Sequence, residues 1–144
     1  SALVRLRNMG VATYNLASSI SLISAQRLVR RLCVHCRTPV SVSSQSLKDL
    51  GLQTFTDQAA PQHHFYSAQG CSQCHKGYWG RIGLFQVMPI TAALQHLILH
   101  NASGHELTAQ AEKEGVNTLR HAGLLQASMG ITSLSEVLAH TDVT

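Results

Sequence analysis

Apolar residues recur along this chain at two periods, one helical and one extended. Leu22, Ala25, Val29 and Leu32 stand at three-four-three spacing and predict the apolar stripe of a helix running from a cap at Asn15 to about Leu32. Arg27, Arg30 and Arg31 then line another face near its end, with Arg27 and Arg31 one turn apart and able to grip one anion. Leu47 to Leu50 predicts a short helix ending at Gly51, and residues 53–64 read as a polar loop. Phe65 to Ala68 predicts a short strand and Arg81 to Val87 a glycine-punctuated one. After Pro89 the pattern turns helical. Thr91 caps a helix carrying Leu94, Leu97 and Ile98, and Ser103 with Glu106 has the form of a capping box for a helix that stops at Gly115. A further helix opens at Asn117 or Thr118 and ends at Gly130, and Ser133 with Glu136 forms a second box before a last short helix. The expected class is α+β, dominated by helix.

Composition narrows this little. The 144 residues are 44% hydrophobic, with a mean hydropathy of +0.04, which describes a globular chain. No apolar run approaches the ~20 residues of a membrane helix. The opening Ser1-Ala2-Leu3 lacks both an initiator methionine and a signal-peptide core, so a cut through a longer protein is expected. Charge placement is more telling. Residues 1–36 hold five arginines and no acid, whereas residues 37–144 hold six basic and seven acidic side chains. An anionic neighbour is expected for the first segment. With aromatics at 5% and no basic-aromatic interleaving, nucleic acid ranks low as that neighbour.

The cysteines carry the chemistry. Cys33, Cys36, Cys71 and Cys74 form two C-x-x-C pairs with 34 residues between them. Each pair lets two sulfurs converge on one ion, and two pairs supply a tetrahedral set of four thiolates. Soft thiolates suit Zn2+, and four protein ligands leave no open position, so such a metal is structural. Two local disulfides, a redox dithiol and an iron–sulfur cluster are the alternatives. Neither pair has the strand-then-helix surroundings of a thioredoxin motif. His35 and His75 flank ligands and are read as exposed or supporting. His63 and His64 are read as solvated, and His96, His100, His105, His121 and His140 receive no role. The chain has no Gly-x-x-x-x-Gly-Lys-Ser/Thr, Gly-x-Ser-x-Gly or His-Glu-x-x-His, and no complete catalytic set.

The run RLRNMGVATYNLASSISLISAQRLVRRLC, the two C-x-x-C pairs, GCSQCHKGYWGRIGLFQVMPIT and the closing GLLQASMGITSLSEVLAHT together resemble the C-terminal part of the type II secretion and type IV pilus assembly ATPases, the general secretion pathway protein E family. The resemblance covers essentially the whole chain. It implies the end of a RecA-like P-loop ATPase core at residues 1–32, a tetracysteine zinc module at residues 33–79, and a strand with C-terminal helices at residues 80–144. It further implies a hexameric cytoplasmic motor, peripheral to the inner membrane, that hydrolyses ATP with Mg2+ for pilus or pseudopilus assembly and protein transport. Its partners are then the other ring subunits and an inner-membrane platform protein. In that family the phosphate loop, the Mg2+-binding acids and the catalytic glutamate have no counterpart among these residues. The ATP and Mg2+ sites are therefore expected in the parent chain, and this piece alone is expected to be inactive. The zinc set Cys33, Cys36, Cys71 and Cys74 carries over. Thr13 and Gln86 depart from an expected proline and glutamate. The competing readings are a free-standing zinc-ribbon module that binds protein or nucleic acid, and a dithiol oxidoreductase.

Overall fold

Residues 22–32 form a strand, not the expected helix. The computed structural model describes residues 2–50 and 65–141; Gly51 and the loop expected at 53–64, with His63 and His64, lie outside them. Strand β1 (Leu22–Leu32) is hydrogen-bonded to β4 (Tyr78–Pro89). Ser21 and Ser24 favour helix weakly, and around them Ile23 and Ala25 are half-buried while Leu22 and Ser24 are exposed, a period of two. The helical stripe was a coincidence, since Leu22 faces solvent and only Val29 and Leu32 of its four members are buried. What decides the strand is β4, distant in sequence, where Leu84 is buried and Phe85 and Val87 are exposed. Arg27 and Arg31 are thereby about 13 Å apart along extended backbone and do not share an anion as helix neighbours would.

Two compact units divide the chain, residues 1–25 with 86–118 and residues 26–85 with 119–143. The first contains α1 (Ala2–Asn8), α2 (Thr13–Ser19), α4 (Ala92–Leu99) and α5 (Gly104–Lys113). Asn15 is inside α2 and caps nothing. The cap position is Ala12, so Thr13 takes the first helical place, where the proline expected from the resemblance would also be favourable. Thr91 Oγ1 accepts from the Leu94 N–H, and Ser103 with Glu106 closes a complete capping box, both as expected. These helices bury Leu3, Leu16, Ala17, Leu94, Ile98, Ala102 and Leu107 together. Arg7 donates to the Ala102 carbonyl at 3.3 Å, tying α1 to the α4–α5 turn.

In the second unit β2 (Thr38–Val40) pairs antiparallel with β3 (Phe65–Ser67), Pro39 opposite Tyr66. Helices α3 (Ser44–Asp49), α6 (Leu119–Ser128) and α7 (Leu134–His140) accompany them, and Leu47, Phe65, Leu124, Ala127 and Val137 form the core. Gly123 lets α6 approach closely, because a Cβ there would sit 2.7 Å from Val137 Cγ1. Gly130 does the same under Arg37, whose guanidinium lies 4.2 Å over the Tyr66 ring and donates to the Gly130 carbonyl at 2.7 Å. The second capping box is half made. Ser133 Oγ accepts from the Glu136 N–H, but the Glu136 carboxylate turns away to Arg30.

Candidate metal centre

The four cysteine sulfurs meet. Cys33 leaves the end of β1, where the Leu32 N–H bonds to the Ile131 carbonyl at 2.8 Å and the Cys33 N–H to the Gly77 carbonyl at 2.9 Å. The Arg37 N–H returns to the Cys33 carbonyl at 3.1 Å and folds the first pair into a tight knuckle. The second pair follows β3. His75 and Tyr78 exchange main-chain bonds of 2.9 and 3.0 Å around Lys76 and Gly77, both at positive φ. Thr38 Oγ1 lies 2.6 Å from Gln69 Oε1 and links the two knuckles.

Sulfur separations are 3.8 Å for Cys33–Cys71, 3.7 Å for Cys36–Cys74 and 3.6 Å for Cys71–Cys74, and all four lie within 4.8 Å of one another. A regular tetrahedron of sulfurs each ~2.3 Å from a central ion has edges of about 3.8 Å. The donor set fits a tetrahedral thiophilic cation. None of the sulfurs is in a disulfide. Both C-x-x-C pairs occupy turns rather than a helix N-terminus, which removes the thioredoxin-like reading. Cys33 is buried, Cys36 and Cys74 are half-buried, and Cys71 is exposed. His35 and His75 are exposed and outside the sulfur set.

Main-chain N–H groups prepare the sulfurs for charge. The Gly70 N–H points to Cys36 Sγ and the Cys71 N–H to Cys74 Sγ, both at 3.3 Å. At Cys74 desolvation opposes ionisation, but the N–H groups of Cys71 and Gly77 and the neighbouring thiols outweigh it and bring the thiol down to about 7. At Cys71 the Gln73 N–H favours ionisation, yet desolvation and the three other cysteines push it up to about 12. Four crowded thiols share little negative charge by themselves, and a divalent cation placed among them would let all four ionise.

Gly77 is the tightest point of the frame. Its φ is +95°, and a Cβ would lie 2.6 Å from Ala68 Cβ and 2.7 Å from the Gln69 nitrogen. Gly77→Ala should destabilise the protein by about 3 kcal/mol in urea unfolding. Gly115 also has positive φ but open space around its Cβ position, so Gly115→Ala should cost only about 1 kcal/mol. Equal losses at the two sites would show that the close approach at Gly77 is unimportant.

Beside this centre stands a network that periodicity and spacing did not reveal. Glu136 accepts from the Arg30 N–H at 2.9 Å, from its Nε at 2.9 Å and from its Nη2 at 2.6 Å. The Arg30 guanidinium lies 4.1 Å over the Tyr78 ring, whose hydroxyl is 2.7 Å from Ser133 Oγ. Thr132 Oγ1 donates to the Arg30 carbonyl at 2.8 Å. Arg30 and Glu136 are 106 residues apart, and the capping-box motif that contains Glu136 gives no hint of Arg30 as its partner. Among the histidines given no role, His140 reaches Glu136 Oε2 at 3.5 Å, and the rings of His96 and His100 lie 4.1 Å apart.

Comparison with known proteins assigns the chain to a family. The sequence profile of the type II/IV secretion system proteins matches residues 1–139. The chain belongs to that family. The type IV pilus assembly ATPase PilB of Acinetobacter baylyi is 44% identical over 135 residues, covering 94% of this chain and 23% of that protein. PilB of Pseudomonas aeruginosa is 46% identical over 135 residues, with coverage of 94% and 23%. The type II secretion system ATPase E of Vibrio cholerae is 36% identical over 141 residues, with coverage of 97% and 27%. The chain thus spans about a quarter of the length of these curated relatives of the family. Seven helices and two two-stranded sheets among the described residues make it α+β, and no helix among those residues is long and apolar enough to cross a membrane.

Proposed function

We propose that this chain is the zinc-bearing C-terminal part of an ATPase motor that powers type IV pilus or type II pseudopilus assembly, and that its own contribution is structural. The single observation that carries the reading is the tetrahedral spacing of Cys33, Cys36, Cys71 and Cys74 within a chain of this family. Zn2+ bound there would cross-link residues at the end of β1 to the turn before β4 and supply no catalytic position. The zinc module then spans residues 33–79, between the end of a RecA-like core and the C-terminal helices. The parent would bind ATP and Mg2+ through other residues, work as a hexameric ring in the cytoplasm, and meet a platform protein at the inner membrane. Leu22, Leu28, Phe85 and Val87 support this reading: they are large apolar side chains exposed on the two paired strands, and a two-stranded ribbon ordinarily needs a covering layer.

Elemental analysis of the purified chain should give one zinc per molecule. Visible absorbance accompanied by iron would assign an iron–sulfur cluster instead. The full-length parent should hydrolyse ATP, and the 144-residue chain should not. Turnover by the clean 144-residue chain, abolished with the metal, would overturn the structural assignment.

A further inference from the structure

One face of the metal-bearing unit is left unused by this reading. Arg31 at the end of β1 and Arg81 in β4 line a cleft of about 530 Å³ with Val34, His35, Gln73 and Trp79. A second hollow of about 470 Å³ shares Trp79, Gly80 and Arg81 with it and adds His75. Gly80, at φ +76°, leaves room for the Arg31 stem, whose Cδ would lie 3.9 Å from a Cβ at that position. Trp79 and Val34 are each 68% exposed, an unusual placement for large apolar side chains beside two cations. Among the described residues no carboxylate pairs with Arg31 or Arg81, and neither donates to a cysteine sulfur. They therefore do not serve as counter-charges locked onto the thiolates.

We propose that this cleft docks an acidic peptide segment of a partner protein, with an aliphatic or aromatic residue against Trp79 and carboxylates on Arg31 and Arg81. Charge complementarity selects the occupant. The guanidinium fork matches a carboxylate in a bidentate manner, and Trp and Arg are the residue types that dominate binding energy at interfaces. A second copy of this chain is a poor source of the acid. Among the described acids Asp49 accepts from Gln45, Glu106 closes its capping box, Glu114 accepts from Thr91 and Gln110, and Glu136 holds Arg30, which leaves exposed Glu112 as a lone carboxylate rather than an acidic segment. Nucleic acid would find one exposed tryptophan rather than a row of stacking platforms.

The test uses the whole chain and an array of short fluorescent peptides in which acidic, basic and apolar positions are varied systematically. Trp79 is the chain's one tryptophan, so its emission reports the cleft directly. Peptides with carboxylates around an aliphatic or aromatic residue should bind, shift Trp79 emission to the blue, and weaken with added salt. The double variant Arg31→Ser with Arg81→Ser should lose about tenfold or more in affinity while keeping its metal content and circular dichroism. Arg81→Lys, which keeps the charge but loses the fork, should fall between. Four results overturn the proposal: equal binding of basic and acidic peptides, affinity unchanged in the double variant, tighter binding of a mixed-sequence DNA oligonucleotide or of phosphatidylglycerol vesicles, and self-association abolished by the same substitutions. Because metal content is measured on every sample, a failed zinc assignment and a failed docking assignment give different results.

Discussion

Serine in place of Cys33 should reduce bound zinc to below about a fifth of an equivalent and lower the melting temperature by roughly 10 °C or more. The expectation follows from how little else holds the frame. Strands β2 and β3 have three residues each, and pairs that short are not stable alone. The sulfurs stand 3.6–3.8 Å apart along the edges described, a spacing suited to four thiolates around a cation. Cys33 is the buried ligand, and its N–H joins the Gly77 carbonyl, so losing its bond to the metal also loosens that junction. Hydrogen exchange should localise the damage. Amides of residues 33–40 and 65–78 should lose protection, whereas those of α4 and α5, packed on a separate apolar cluster, should keep it. Thiol titration gives the companion result: four thiols silent in the native chain and reactive after denaturation. A Cys33→Ser protein that melts like the wild type would remove the metal from any structural role.

What the sequence made legible follows from the range of the interactions involved. The caps at Thr91 and Ser103 are contacts three residues long, and they stand as read. The cysteines were legible because each pair is local and metal chemistry demands four of them, so only the meeting of the two pairs had to be inferred. Strand β1 was misread because its partner lies beyond Cys71, and a window of a dozen residues cannot see it. The two helical turns of α1 left no clear stripe, with Leu3 its one buried residue. At Ser133 the local rule supplied half the truth. The side chain three residues on was an acid, as a capping box requires, but the Arg30 guanidinium offered it more than the cap's N–H did. Tertiary charge pairing overrode a local motif there, and that displaced carboxylate is the basis of the next expectation.

Arg30→Met should be more damaging than Glu136→Gln, by about 3 against about 1 kcal/mol near neutral pH. The two partners differ in surroundings: the Glu136 side chain is 5% exposed and that of Arg30 is 52% exposed. Without the guanidinium, a buried carboxylate keeps the Arg30 main-chain N–H and His140 at 3.5 Å, too little to offset desolvation. Without the carboxylate, the guanidinium still reaches water and still lies over Tyr78. The Ser133 cap survives both changes, because it takes the main-chain N–H of residue 136. Acid separates the cases further. Desolvation raises the Glu136 pKa, but the hydrogen bonds and charge of Arg30 outweigh it and hold the group below its ordinary value. Its stabilisation is therefore complete above the unfolded glutamate pKa of about 4.3 and is lost as pH falls through the lower folded value. In Arg30→Met the hydrogen bonds and charge of the guanidinium are gone while desolvation remains, so the folded pKa moves up from its wild-type position and protonation costs the variant less stability than it costs the wild type. Urea unfolding at about pH 7, 5 and 4 should show the gap between Arg30→Met and wild type narrowing as the solution is acidified. A constant gap over that range would mean that Glu136 and Arg30 are paired in geometry but not in free energy.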